Sequence, residues 1–219
     1  MTWTKRSTGD AGDGRKKPSP VLYYYDVLES TNKTAKELAA RPDTKDMTVV
    51  IADRQTEGVG RRGKSFYSPE GGIYASYIFK PDISNINDGD IYTMGAAVAA
   101  CEAIEKVTGR SPGIKWINDL ILNDRKICGI LTEARPAEKG FEWVVVGIGI
   151  NLYLEKEALP EAIKERAGGI FETKEDIPKK ELTAELTNRM QAVLQYPEKK
   201  DISEKYLKRL KVLPEKWPY

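Results

Sequence analysis

Eight consecutive residues, Gly58 to Ser65, read G-V-G-R-R-G-K-S and satisfy the phosphate-loop formula G-x-x-x-x-G-K-[ST]. The three glycines permit close backbone approach to a ligand, and Arg61, Arg62 and Lys64 supply the cations an anion would meet. A phosphate loop closes a strand and opens a helix, yet Ser65 is followed by Phe66, Tyr67, Ser68, Pro69, Glu70, Gly71 and Gly72, which is no first helical turn. The expectation is phosphate chemistry without a phosphate-loop fold.

Three further segments are polar or glycine-rich where a purely structural role predicts otherwise. Ser30-Thr31-Asn32 stands between a strand-like run and a helix, either as an N-cap or as a set of small donors and acceptors for a neutral, amide-like head group. In GIKWIND, Lys115 sits among apolar residues, as a snorkelling surface lysine or as a charge aimed at a buried anion. Asn118 and Asp119 follow it, and such oxygen ligands suit Mg2+. In VVVGIGINLY, Gly147 and Gly149 weaken a strand, so they point to close approach by a ligand or another chain element.

Composition narrows the chemistry. The chain contains no histidine, which removes serine–histidine triads, histidine general bases and histidine-ligated zinc. Lys, Arg, Asp, Glu, backbone dipoles or bound Mg2+ must do the work. Cys101 and Cys128 form no C-x-x-C pair and read as buried packing residues in a reducing compartment. A formal charge of +2 gives no overall field toward nucleic acid or lipid, so phosphate recognition is expected to be local. No apolar run approaches the roughly 20 residues of a spanning helix, and the start does not read as a secretory signal.

Residues 1–20 read as a disordered polar tail. Strands are expected at Val21–Leu28, Thr48–Ala52 and Ile73–Phe79, with a helix from the Ser30 caps to Arg41. A long helix follows from about Ile91 to Val107, its apolar face Ile91, Met94, Val98, Cys101 and Ile104, stopped by Gly109. Four short strands joined by tight turns, at Gly113–Trp116, Leu120–Leu122, Lys126–Ala134 and Phe141–Ile150, should pair antiparallel. Two amphipathic helices between Lys179 and Leu210 complete an α+β domain: a mixed, largely antiparallel sheet with helices packed on one face.

Taken together, these segments resemble the biotin protein ligases. Glu29-Ser30-Thr31-Asn32 is similar to that family's D/E-S-T-N, Gln55 to Ser68 to its Q-x-x-G-R-G-R-x-G-R-x-W-x-S-P, and KWIND to its K-W-P-N-D. Lys126 to Leu131 resembles K-x-x-G-I-L, and Gly147 to Asn151 resembles G-I-G-I-N. The resemblance covers about residues 21–215, with Val59 in place of an arginine, Ile117 of a proline and Phe66 of a tryptophan. It implies a class II synthetase-like catalytic domain over residues 21–200. Residues 201–219 would form a terminal helix and the start of a truncated or absent small β-barrel, its first strand near Tyr206 to Leu213.

The implied reaction joins biotin to ATP as biotinyl-5'-AMP and passes biotin to a lysine of a biotin carboxyl carrier protein. The resemblance implies catalytic roles for Lys115 and Arg61. It implies biotin contacts from Ser30, Thr31, Asn32, Gln55, Gly58, Val59, Gly60, Arg61, Lys115 and Gly129, and ATP or AMP contacts from Arg61, Arg62, Lys64, Asn118 and Asn151. Asn118 and Asp119 are the metal candidates. The Gly58–Lys64 loop is expected to fold over the intermediate. A cytoplasmic protein that binds neither DNA nor membrane is implied, with a homodimer left open. Two other readings stay in view: a biotin-binding or sensing module that adenylates weakly because Val59 replaces arginine, and a phosphate-loop ATPase. A lipoate ligase would be expected to lack the G-R-G-R-type loop.

Overall fold

The computed structural model describes residues 19–81, 89–195 and 197–211. Residues 1–18, most of the expected polar tail, lie outside them. Seven strands form one sheet: β1 (Val21–Leu28), β2 (Thr48–Gln55), β3 (Ile73–Phe79), β4 (Gly113–Lys115), β5 (Asp119–Leu122), β6 (Arg125–Pro136) and β7 (Phe141–Ile150). Their spatial order is β1-β2-β3-β7-β6-β5-β4. Only β1 and β2 run parallel, which requires a crossover, and α1 (Thr31–Ala39) provides it. The remaining pairs are antiparallel, as the tight turns require.

Strand alternation builds two cores. On one face Val49, Ile51, Ala75, Tyr77, Val146 and Ile148 pack under α2 (Asp90–Thr108), α4 (Lys179–Leu194) and α5 (Lys199–Leu207). Helix α2 is apolar nearly all round because it is sandwiched between sheet and helices, and Gly109 ends it at φ 69°. Both thiols are buried; burial pushes Cys101 up to about 12 and Cys128 higher still, consistent with packing roles. On the opposite face α1 lays Ala35, Leu38 and Ala39 on Val50, Ile78, Val145 and Trp143. Among the described helices, α2, α4 and α5 thus cover one face and α1 crosses the other, where the polar and glycine-rich segments meet.

A short helix absent from the sequence reading, α3 (Glu161–Lys164), precedes a segment that hydrogen-bonds along β6, with Lys126 N donating to Arg166 O at 2.7 Å. The expected strand from Tyr206 does not form over its described part. Tyr206 is in the last turn of α5, fully buried, donating its hydroxyl to Ile117 O at 3.0 Å. The chain then runs beside β4, where Ile114 N donates to Arg209 O and Lys211 N to Ile114 O. Residues 212–219 lie outside the described residues.

Candidate active site

Helix α1 delivers its first residues onto the sheet. Ser30 is extended (φ −155°, ψ 130°) and its hydroxyl accepts from Lys33 N, so the N-cap reading holds while the same residue lines a cavity. Thr31 N donates to Gln55 Oε1 at 2.7 Å, with Thr31 Oγ1 3.1 Å from the same oxygen. Gln55 Nε2 donates to Ser68 Oγ at 2.9 Å, and Ser68 Oγ to Phe66 O at 2.9 Å. Ser76 Oγ, on β3, stands 2.8 Å from Thr31 Oγ1 and 2.6 Å from Asn32 Oδ1. Asn32 Nδ2 donates to Glu133 Oε2 (2.9 Å) and Leu131 O (3.3 Å), while Lys36 holds the other Glu133 oxygen at 2.6 Å. This end is neutral apart from the Lys36–Glu133 pair and is internally hydrogen-bonded. Asn32 is only 6% exposed, so it serves chiefly to tie α1 to β6.

Gly147 makes that tie possible. A Cβ there would stand 2.0 Å from Asn32 Oδ1. Two residues further along β7, and roughly 7 Å away on the same face, a Cβ on Gly149 would meet the Phe66 ring at 2.4 Å. Gly129, paired with Gly149 across β6 and β7, meets the same ring at 2.8 Å. The glycines are therefore a floor, roofed at one end by Asn32 and at the other by Phe66.

The Gly58–Ser65 loop is a small hairpin. Val59 and Ser65 bridge, Gly60 N donates to Lys64 O at 2.7 Å, Phe66 N donates to Gly58 O at 2.8 Å, and Arg62 turns the tip at φ 57°. An irregular stretch and then β3 follow, with no helix at Lys64-Ser65, so this is not the strand–loop–helix of a phosphate-loop enzyme. Arg61 reaches over the site, and its Nη1 donates to Asn118 Oδ1 at 3.3 Å. Asn118 Nδ2 donates to Ile130 O at 2.9 Å. Beside them Lys126 Nζ lies 2.7 Å from Asp119 Oδ1 and 5.7 Å from the Phe66 ring centroid. Lys115 faces Asp119 across the β4–β5 hairpin. Desolvation is the main influence lowering its pKa; Asp119 opposes this, and Lys126, Arg166 and Lys64 add to it. Several cations thus surround one carboxylate.

Between the two ends lies a cleft of about 440 Å3, its open mouth included. Ser30, Thr31, Asn32, Gln55, Val59, Gly60, Arg61, Asn118 and Gly129 line it, bringing together most of the residues named from sequence. Gly58 lies at the loop base, where a Cβ would be 2.4 Å from Phe66 O. Lys115, Arg62, Lys64, Asp119 and Asn151 are not in the wall. Asn151 is buried, its Nδ2 donating to Gly168 O at 3.2 Å. Gly147 and Gly149, read from sequence as a place of close approach, line the cleft, whereas sequence reasoning did not select Lys126 and Phe66, which also line it, or Ser76 and Glu133, which brace it. Lys126 was visible within a quoted motif; Ser76 and Glu133 carried no local signal.

Asn118 and Asp119 do not fit a resident metal ion. Asn118 Oδ1 is held by Arg61 and the Asp119 carboxylate by Lys126, and the surrounding charges are positive. Among the described residues no three His, Cys, Asp or Glu side chains converge as ligands. Nor is any described helix long and apolar enough to cross a membrane.

Comparison with known proteins gives the chain a family. The model of the biotin/lipoate A/B protein ligase family matches residues 24–151. The bifunctional ligase/repressor BirA of Bacillus subtilis is 42% identical over 147 residues, covering 67% of this chain and 45% of that protein. The biotin–[acetyl-CoA-carboxylase] ligase of Paracoccus denitrificans is 34% identical over 126 residues, covering 57% of this chain and 51% of that protein. The chain therefore spans about half the length of these curated relatives. Among solved structures, the biotin protein ligase from Aquifex aeolicus in complex with biotin and ATP superposes with a TM-score of 0.71 at 28% identity, covering 87% of this chain and 78% of that one. The Leishmania major biotin protein ligase in complex with biotinyl-5-AMP, at 20% identity and TM-score 0.74, shares the fold. With the family model matched over more than half of its length, the chain belongs to the biotin/lipoate A/B protein ligase family.

Proposed function

We propose that the protein is a biotin protein ligase: it activates biotin with ATP to biotinyl-5'-AMP and transfers biotin to a lysine of a biotin carboxyl carrier protein. The observation that carries this reading is one cleft with a neutral hydrogen-bonding end and a cationic end over a glycine floor. Biotin has a matching polarity, a neutral ureido ring at one end and a carboxylate at the other. Neutral amides and hydroxyls bind a ureido group at lower desolvation cost than charges would.

Ser30, Thr31 and Gln55 contact the ureido ring, with Asn32 and Ser76 holding them in place. Arg61 and Lys126 bring the biotin carboxylate and the α-phosphate together, and Lys115 adds positive charge from outside the wall. Arg62, Lys64, Asn118 and Asn151 are assigned to the rest of the nucleotide. Magnesium arrives as part of the MgATP substrate.

A carboxylate oxygen attacks the α-phosphorus; the new P–O bond forms as the bond to the β-phosphate oxygen breaks, and pyrophosphate leaves. A neutral carrier amine then attacks the acyl carbonyl. The C–N bond forms, AMP leaves with the C–O electron pair, and the amine loses a proton. Neither step needs an enzyme nucleophile, in keeping with a histidine-free chain whose thiols are buried. The Gly58–Lys64 hairpin shields the mixed anhydride from water. Protection of Arg61 from trypsin by biotin and ATP tests that role.

The test of function is incubation with biotin, ATP, Mg2+ and a carrier domain. The expected result is pyrophosphate, AMP and a one-biotin mass gain on a single carrier lysine. Biotinyl-AMP without transfer would leave an activating module, and no adenylate at high enzyme concentration would leave a binding module.

A further inference from the structure

We propose that Phe66 is a specificity-determining residue that sets the length of acyl chain the site accepts; this rests on the function proposed above. The ring occupies a defined seat. It lies against Gly129 and Gly149, which face each other across β6 and β7, so closely that a methyl group on either strand would come within 2.8 Å or 2.4 Å of it. Its other neighbour is Lys126, with Nζ 5.7 Å from the ring centroid. The Phe66 backbone is fixed on both sides: its N–H donates to Gly58 O, and its carbonyl accepts from Ser68 Oγ. The ring is therefore a wall built into the hinge of the 58–65 hairpin.

The wall stands where chain length is measured. Along β7, Gly147 underlies Asn32 at the polar end and Gly149 underlies Phe66, roughly 7 Å apart. A substrate anchored at Thr31 and Gln55 must pass Phe66 to bring its carboxylate to Lys126 and Arg61. An extra methylene would push the carboxylate beyond that point or force the chain against the ring. Removing the ring would open the space above two glycines, which have no side chains to refill it. Tryptophan would extend the wall into the cleft.

The experiment measures acyl-adenylate formation from biotin and from homologues whose side chain is one and two methylenes longer. It uses the full chain and its Phe66→Leu, Phe66→Ala and Phe66→Trp variants. The wild type should favour biotin over the one-methylene homologue by about 10- to 200-fold, the range for one methylene in an apolar pocket. Phe66→Leu and Phe66→Ala should each cut that ratio at least tenfold, chiefly by lowering KM for the homologue, while Phe66→Trp should raise it. Thermal melting identifies a variant that is merely unfolded, and Phe66→Leu keeps the test decisive if Phe66→Ala is. Active variants with an unchanged ratio overturn the proposal and leave the ligase reading intact. Absence of adenylate from every acid with the wild type overturns both.

Discussion

The two ends of the cleft are built on opposite principles. At the Thr31 end, buried polar groups are already engaged: Gln55 with Thr31 and Ser68, and Asn32 with Ser76, Leu131 and Glu133. At the Lys126 end, cations crowd around Asp119, and Lys115 is depressed in pKa by desolvation and by its like-charged neighbours. The first end is preorganised, so a neutral ligand pays little to order it. The second gains when an anion arrives, because added negative charge relieves mutual repulsion. A site with one neutral, prebuilt end and one charge-hungry end is suited to holding a small acid by its head while its carboxylate is activated.

Breaking the cationic end should have the largest effect. Lys126→Ala should lower the adenylation rate about 10²- to 10³-fold, the scale of losing one preorganised charge-stabilising donor. Biotin's head-group contacts should survive, so the loss should fall more on kcat than on protein stability. Stopped-flow pyrophosphate release together with thermal melting checks both halves.

Disturbing the neutral end should act through packing instead. Gly147→Ala places a Cβ 2.0 Å from Asn32 Oδ1, so the Asn32 side chain must move off its hydrogen bonds with Ser76, Leu131 and Glu133. The expected cost is about 1–3 kcal/mol of stability with a raised KM for biotin, read by denaturant unfolding and biotin titration.

A pH profile sharpens the contrast at smaller scale. A depressed lysine loses its proton earlier as pH rises, so kcat/KM for adenylation should fall on an alkaline limb below the ordinary lysine value of 10.5. Lys115→Arg should move that limb upward, because guanidinium stays charged. An unchanged limb would remove Lys115 from the electrostatics of the site. The smallest effect is expected at Val59, which is 48% exposed at the cleft's rim. Val59→Arg should change kcat/KM by less than about tenfold, in keeping with the modest worth of exposed charges.

The sequence made this contrast partly visible. Thr31, Gln55, Arg61 and Asn118 carry short motifs whose chemistry is local, and each reaches the cleft wall. The antiparallel run from β4 to β7 was legible from tight turns and alternating apolar residues. What escaped was register and side. Ser76 and Glu133 matter because pairing of β3, β7 and β6 carries them under Asn32, from positions far away in sequence. Lys126, not Lys115, enters the wall where the β5–β6 register shifts between Leu120 and Ile121, an irregularity that periodicity does not announce. Helix α1 lies opposite α2, α4 and α5 because it is the crossover between the parallel strands β1 and β2, and a strand run alone cannot declare its partner's direction.

The most direct measurement is mass spectrometry of the protein after a single turnover with biotin and MgATP and no carrier. Biotinyl-5'-AMP should be retained on the wild-type protein, with one pyrophosphate released for each adenylate, and almost none should form with Lys126→Ala. ADP in place of AMP and pyrophosphate, or equal adenylate from the wild type and Lys126→Ala, would contradict the proposed mechanism.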